Sequence, residues 1–168
     1  MDSRRIVRYA RGGLAGAALL WMGVGYAALP PPLAQAVARG AHIFNDDSFG
    51  SQVRPVADAA SAFADMGGAR AHARFMTCAA CHVHGGRTRG QLPDGRHIPS
   101  LRNAAAVFPR YSAKSHRIVT LEDQIQHCVK DGIKGRPPTF GGATMVDLVS
   151  YLKSLATGQR MAIGGAFQ

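Results

Sequence analysis

The sequence predicts an all-α domain in which a few helices are joined by long loops. No segment alternates apolar and polar residues for more than a few positions, as a half-buried strand would. At Thr120 and at Thr144 a hydroxyl residue is followed three positions later by an acid, which is the pattern of a helix N-terminus. Residues 85–109 are rich in Gly, Pro and Arg without any period, so we expect a long loop there.

The N-terminal segment predicts export from the cytoplasm. Basic residues up to Arg11 precede an uncharged run from Gly12 to Leu29, and three prolines and a small-x-small site at residues 34–36 follow it. This order is that of an export signal. The run also approaches the ~20 residues that span a bilayer, so an uncleaved membrane anchor at residues 12–29 is the alternative. Both interpretations predict a periplasmic protein, either free or tethered to the cytoplasmic membrane.

Composition limits the class of the remaining chain. A length of 168 residues suggests one domain, so we divide the chain into an export segment or anchor (1–36), a main domain (37–158) and a tail (159–168). Hydrophobic residues make up 46%, which excludes overall disorder, and 3 Cys are too few for a disulfide framework. The net charge of +10 fits several kinds of partner. Aromatic residues reach only 7%, which argues against a nucleic-acid partner.

Apolar residues at i, i+3/i+4 spacing predict the helices. Thr120 and Thr144 would cap the last two, and Gly132 and Gly158 would mark their ends. The predicted helical ranges are 37–44, 56–66, 69–81, 120–131 and 144–157.

Cys78, Cys81 and His82 form the strongest chemical signal. In a C-x-x-C-H sequence the two thiols reach the two vinyl groups of a haem, and the histidine ligates the iron. A C-x-x-C redox pair would normally accompany a βαβ pattern, and none is predicted here. A zinc site using these residues or His84 lacks a second ligand pair at zinc-finger spacing. The motif therefore predicts one covalently bound haem c with His82 on the iron.

The chain around this motif resembles the class I cytochrome c domain, in which a C-terminal helix packs against the first helix. Residues 146–155 are similar to that last helix. The family usually has a methionine ligand in a Gly-x-Met-Pro-x-Phe segment just before it. Here residues 135–140 read GRPPTF, and Pro137, which cannot bind iron, stands at the ligand position. The resemblance implies a cytochrome c-like fold whose second iron ligand differs.

Several residues are candidates for that second, distal ligand. Cys128 is the thiol outside the motif, and its alternative interpretations are a small buried side chain or a reactive thiol that does not bind iron. Adjacent helical residues point about 100° apart, so only one of His127 and Cys128 can face the haem. We expect His116 at the surface and Met145 in the core. His97 is the remaining candidate.

Residues 77–157 closely resemble the haem domain of thiosulfate dehydrogenases and of the related A-type cytochromes of the sulfur-oxidation system. The similar stretches are 108–111 (FPRY), 119–128 (VTLEDQIQHC) and 134–137 (KGRP). In that family the cysteine matching Cys128 is the distal ligand, so the resemblance implies that His82 and Cys128 share the iron. The known thiosulfate dehydrogenases carry two haems, whereas this chain has one motif.

The loop that follows the motif is strongly basic, with Asp94 as its only acid between residues 86 and 118. Its cations would balance the haem propionates, dock an acidic partner or hold a small sulfur anion. The basic residues are Arg87, Arg89, Arg96, Arg102, Arg110, Lys114 and Arg117.

Two functions follow from these patterns. The first is a one-haem protein that relays electrons to or from a redox partner, such as another cytochrome, during oxidation of inorganic sulfur compounds. The second is a thiosulfate dehydrogenase-like enzyme or haem subunit, in which Cys128 and the basic loop act on a sulfur anion. We favour the first because one haem cannot store two electrons.

Overall fold

The computed structural model describes residues 29–54, 75–92 and 94–167. The uncharged run predicted at 12–29 lies outside these residues except for Leu29, and the helix predicted at 56–66 lies wholly outside them. Among the described helices none is both long and apolar enough to cross a membrane. The helices are α1 (Pro31–Asp46), α2 (Val83–Gly86), α3 (Ala104–Val107), α4 (Leu121–His127) and α5 (Ala143–Leu155), with a 3₁₀ turn at Cys78–Ala80 and a π-helical turn at Cys128–Gly132.

The structure confirms a helix-dominated domain with long connections and adds two short antiparallel hairpins. One hairpin pairs β1 (Gly90–Gln91) with β2 (His97–Ile98). The other pairs β3 (Arg110–Ser112) with β4 (Arg117–Val119). Both fall in or beside the predicted basic loop. Strands of two or three residues are too short to produce the alternation by which a strand is predicted.

Helix α1 begins at Pro31, so the prediction that this helix starts at residue 37 is wrong. Proline suits the first turn of a helix because its φ is already near the helical value and its missing N–H needs no partner there. The amides of Leu33 and Ala34 both donate to the Pro30 carbonyl, at 2.9 and 3.0 Å. The small-x-small site at 34–36 therefore lies inside α1, and Ala36 is buried.

Helices α1 and α5 make the most extensive contact between described elements. Gly40 permits this contact, because a Cβ at that position would lie 2.0 Å from the Asp147 carbonyl oxygen. Beside it, the Arg39 guanidinium donates two hydrogen bonds to the Asp147 carboxylate, at 2.8 and 2.9 Å. One turn along α1, the Phe44 ring packs 5.4 Å from the Tyr151 ring. The first and last described helices thus form one packed unit, as the class I resemblance implies.

The start of α5 differs from the prediction. Gly142 occupies the N-cap position and no side chain caps the helix, so the predicted cap at Thr144 is wrong. Asp147, which would have completed that cap, is instead held by Arg39. Met145 is buried in the core as predicted. The helix ends at Leu155, three residues before Gly158, which has a left-handed φ of 79°.

Helix α4 begins with the predicted capping box. The Thr120 hydroxyl accepts a hydrogen bond from the Asp123 amide at 3.1 Å, and the Asp123 carboxylate accepts one from the Thr120 amide at 2.9 Å. The Thr120 amide and the Arg117 guanidinium hold the pKa of Asp123 below its usual range. At Cys128 the helix widens into a π-helical turn that ends at Gly132, the predicted stop. Such widened turns recur at functional sites.

We expect Thr120→Ala to lower the free energy of unfolding by about 1 kcal/mol, because the first turn of α4 loses its cap. Urea denaturation followed by circular dichroism measures the change. Thr144→Ala is the matched control and should change stability by less than about 0.5 kcal/mol, since Thr144 does not cap α5. Equal losses in the two variants would contradict the assignment.

The predicted tail packs on the main domain over residues 162–167. The amides of Ala162 and Gly164 donate to the carbonyls of Ala106 and Val107, at 2.8 and 2.9 Å. The Asn103 side-chain amide donates to the Ala166 carbonyl at 3.0 Å. These bonds bring the tail back over α3, and from there to the site described next.

Candidate haem site

One apolar cavity brings together residues from distant parts of the chain. Cys78, His82 and Cys128 all line it, and it encloses an empty volume of about 490 Å³, counting the part open to solvent. Gln124 contributes a polar side chain from α4. The walls are mainly apolar and include Phe44, Leu101, Phe108, Ile125, Leu148 and Leu152.

The motif cysteines lie on a tight turn that follows extended chain. The helix predicted at 69–81 is wrong over its described part, residues 75–81. Thr77 is extended there, and only the 3₁₀ turn at Cys78–Ala80 is helical. The amides of Cys81 and His82 both donate to the Cys78 carbonyl, at 3.2 and 2.9 Å. The chain therefore turns within four residues and presents Cys78 and His82 to the same cavity.

The loop after His82 is fixed to α5. Gly85 has a left-handed φ of 64° and its carbonyl accepts a hydrogen bond from the Tyr151 hydroxyl at 2.7 Å. A Cβ at Gly85 would lie 2.6 Å from that hydroxyl oxygen. On the other side, the Phe44 ring lies 6.3 Å from the His82 ring. Helices α1 and α5 together thus position His82.

His82 has the properties of a neutral metal ligand. Burial lowers its pKa to about 4, and the nearby Pro99 carbonyl partly opposes this effect. Its Nδ1 atom is buried and finds no partner within hydrogen-bond distance in the described part of the chain. A ligating histidine usually donates one ring N–H to a carbonyl and binds the metal through the other nitrogen. The His82 ring therefore has the Pro99 carbonyl as a nearby acceptor, and it still needs a second partner, such as a metal ion.

The three cysteines are free thiols gathered around one region. Burial raises the pKa of Cys78 to about 12 and also raises that of Cys81 and of Cys128. The charge that Cys128 would carry contributes to the rise at both motif cysteines. The Gln124 amide donates to the Cys128 sulfur at 3.3 Å and acts against this rise. Raised pKa values do not suit a reactive redox pair, which needs a low pKa.

Of the five candidates for the distal ligand, only Cys128 lines this cavity. His97, His116 and His127 are exposed, and His127 pairs with Asp131 at 2.8 Å. Met145 lines a different groove, beside the start of α1. The described residues also contain no group of three or more His, Cys, Asp or Glu that could hold a metal ion such as zinc.

A second, basic cavity adjoins the apolar one. Arg110, Lys114 and Arg117 line it, and Asp123 is the acid that offsets them. Its empty volume is about 1110 Å³, counting the part open to solvent. The remaining cations of the predicted basic loop do not line this cavity, and Arg96 pairs with Asp94 at 2.8 Å. Only part of that loop therefore forms an anion-attracting surface.

Two residues border both cavities and were missed by sequence reasoning. Gln124 lies four residues before Cys128, a spacing that places both on one helix face, so it could have been found from the predicted helix. Phe167 belongs to the tail, where no periodicity or motif marked it. Its position depends on the hydrogen bonds that fold the tail over α3.

Comparison with known families identifies the domain. Residues 68–161, more than half of the chain, match the SoxA/TsdA cytochrome c domain. The chain belongs to this family. Membership in the SoxA/TsdA family confirms the cytochrome c-like fold and implies covalently bound haem c. The cavity fits such a group, since it combines apolar walls with thiols, an imidazole and a buried ring nitrogen that has no hydrogen-bond partner among the described residues.

Individual relatives point in the same direction. The thiosulfate dehydrogenase of Thiomonas intermedia is 32% identical over 83 residues, covering 49% of this chain and 24% of that protein. The thiosulfate dehydrogenase of Allochromatium vinosum is 26% identical over 149 residues, covering 86% and 52%. The solved structure of thiosulfate dehydrogenase (TsdBA) from Marichromatium purpuratum, in its as-isolated form, superposes with a TM-score of 0.54 at 26% identity, covering 82% of this chain and 26% of that one.

The chain therefore spans about half, or less, of the length of these relatives. What it shares with them is a haem domain of the kind found in sulfur oxidation. The chain is thus a haem protein related to sulfur oxidation.

Proposed function

We propose that this chain is a one-haem electron-transfer protein of inorganic sulfur oxidation, acting outside the cytoplasmic membrane. Cys78 and Cys81 would hold haem c through thioethers, and His82 and Cys128 would ligate its iron. The haem, when bound, supplies one-electron chemistry. The observation that supports this assignment best is that His82 and Cys128, 46 positions apart in the sequence, line one apolar cavity.

The cavity favours the ligating form of His82, and Gln124 partly offsets the burial that disfavours the thiolate form of Cys128. Burial keeps His82 neutral, as its lowered pKa shows, and neutral imidazole is the ligating form. Cys128 must lose its proton to become a ligand, and the N–H of Gln124 stabilises the sulfur charge that results. A thiolate favours Fe(III) over Fe(II), so this coordination gives a lower potential than His/Met.

The partner in this proposal is another redox protein, such as a second cytochrome. Arg89, Arg102 and Lys114 of the basic loop are exposed and present positive charge to the solvent. Complementary charge accelerates encounter and orients the two proteins. An acidic face on the partner fits this surface, and transfer between the two should slow as salt concentration rises.

Replacing the proposed distal ligand tests the coordination directly. We expect Cys128→Met to abolish the optical and paramagnetic-resonance features of a low-spin thiolate haem and to raise the midpoint potential. Axial ligands move haem potentials over a range of about 0.8 V, so a rise on the order of 100 mV is expected. The matched control is His127→Ala, because His127 is the exposed neighbour. Unchanged spectra in Cys128→Met would refute His/Cys coordination.

The basic cavity supports a second candidate function, oxidation of a sulfur anion at this haem. Arg110, Lys114 and Arg117 attract the anion, and Gln124 connects this cavity to Cys128. Steady-state assays with thiosulfate and an electron acceptor, with and without a co-purifying cytochrome, distinguish this enzyme from a carrier. For the enzyme, the double variant Arg110→Gln/Lys114→Gln should raise KM, whereas Arg96→Gln, outside the cavity and paired with Asp94, should not. No turnover by the native chain with the cytochrome present would exclude the enzyme.

Export is part of the proposal because thioether haem of this type is attached outside the cytoplasmic membrane. Fractionation of expressing cells should place the haem-bearing chain in the periplasm or on the outer face of the cytoplasmic membrane. Mass spectrometry of the holoprotein distinguishes a chain that begins at Val37 from one that keeps its anchor. Haem-bearing protein confined to the cytoplasm would contradict this part of the proposal.

A further inference from the structure

Phe167 and Gln124 separate the basic cavity from the apolar haem cavity. Both residues line both cavities. On the haem side, the Phe167 ring packs against Phe108, with 5.8 Å between ring centroids. On the basic side, the Arg110 guanidinium carbon lies 5.2 Å from the centre of the same ring. A direct route for an anion from the basic cavity toward Cys128 would therefore run past Phe167 and Gln124.

The position of the ring is fixed by more than its two neighbours. The Asn103 amide bonds to the Ala166 carbonyl, one residue before Phe167. The amides of Ala162 and Gly164 bond to α3, which lies directly before Phe108. The tail segment is therefore anchored along its length, while its aromatic residue is only half-buried. Because the backbone of this segment is anchored and the Phe167 ring is only half-buried, rotation of that one side chain can admit a ligand.

We propose that Phe167 is a gate between the basic cavity and the Cys128 side of the haem cavity, and that it determines which small anions reach this side and how fast. The proposal rests on the haem site proposed above. Arg110, Lys114 and Arg117 concentrate anions at the entrance, where their field attracts negative charge. The Phe167 ring opposes passage because it is bulky and apolar, so a large or strongly hydrated anion is held back more than a small one.

The test uses the ferric holoprotein carrying Cys128→Ala, in which the iron face on that side is free to take an added ligand. Stopped-flow absorbance measures the rate at which azide binds. In this background we compare Phe167→Ala, Phe167→Trp and the control Phe140→Ala, since Phe140 is 58% exposed and lines neither cavity. We expect Phe167→Ala to bind azide at least about tenfold faster, Phe167→Trp to bind it more slowly, and Phe140→Ala to match the background.

Two results would overturn the gate. One is an azide rate in Phe167→Ala equal to that in Phe140→Ala. The other is an equal acceleration in Phe167→Ala and Phe167→Trp, which would indicate general loosening of the tail. Entry through the basic cavity further requires that added salt slow azide more than neutral imidazole, because salt screens the attracting charges. Equal salt responses would place the route elsewhere.

A second readout keeps the gate testable if the coordination proposal fails. If Cys128→Ala leaves the native spectrum unchanged, Cys128 does not bind iron and its thiol is free. The rate at which anionic iodoacetate alkylates Cys128 in the native-cysteine chain then gives the same comparison. Faster alkylation in Phe167→Ala than in Phe140→Ala supports the gate without His/Cys coordination, and equal rates refute it.

Discussion

A chain that carries both Cys78→Ala and Cys81→Ala is expected to release all its pigment into acidified organic solvent. Thioether bonds survive denaturation, whereas iron–ligand bonds do not, so a haem held only by His82 and Cys128 is extracted once the chain unfolds. The measurement is the haem absorbance of the protein pellet and of the solvent phase. We expect essentially all the pigment in the pellet for the native chain and in the solvent for the double variant.

Cys128→Ala is the matched control, because it removes the remaining cysteine, which also lines the cavity, and leaves the motif intact. Its pigment should remain in the pellet. Extraction of pigment from the native chain would disprove covalent attachment. Pigment retained by the double variant would show that the thioethers form elsewhere.

The second large effect concerns Gly40. We expect Gly40→Ala to lower the free energy of unfolding by about 3 kcal/mol, in the upper part of the range for overpacked cores. In an exposed helix the same change would stabilise by about 1 kcal/mol. Here the new Cβ would lie 2.0 Å from the Asp147 carbonyl oxygen and 2.6 Å from its carbon. These are backbone atoms of α5, so only separation of the two helices relieves the contact.

Urea denaturation of the holoprotein measures this loss, with Gly132→Ala as the control. A Cβ at Gly132 meets no atom within 4 Å, so that variant should remain close to native stability. Because α1 also carries Phe44 beside His82, Gly40→Ala should also loosen the packing around that histidine. A Gly40→Ala chain as stable as Gly132→Ala would show that α1 and α5 do not pack as described.

The sequence predicted best the features that depend on residues close together in the chain. The capping box of α4 needs only Thr120 and Asp123, and the structure contains both of its hydrogen bonds. The burial of Met145 followed from its place on an apolar helix face. The C-x-x-C-H motif and the similar stretches at 108–111, 119–128 and 134–137 led to the family that the comparisons identify.

Features that depend on distant residues were not predictable in this way. The sequence around Thr144 has the form of a cap, but Asp147 pairs with Arg39, which lies 108 positions away. The basic loop appeared uniform, yet folding sends Arg96 to Asp94 and only Arg110, Lys114 and Arg117 to one cavity. Phe167 belongs to no periodic segment or motif, so no pattern could have located it beside the haem cavity.

The early start of α1 has a consequence for how the protein is made. The small-x-small site at residues 34–36 lies within a formed helix, and Ala36 is buried against its neighbours. Proteases cut backbone that is exposed and locally unfolded. A processing enzyme that removed a leader there would have to act while this part of the nascent chain is still unfolded, before α1 packs against α5. Maturation would then follow a fixed order, with trimming of the leader first and closure of the domain afterwards.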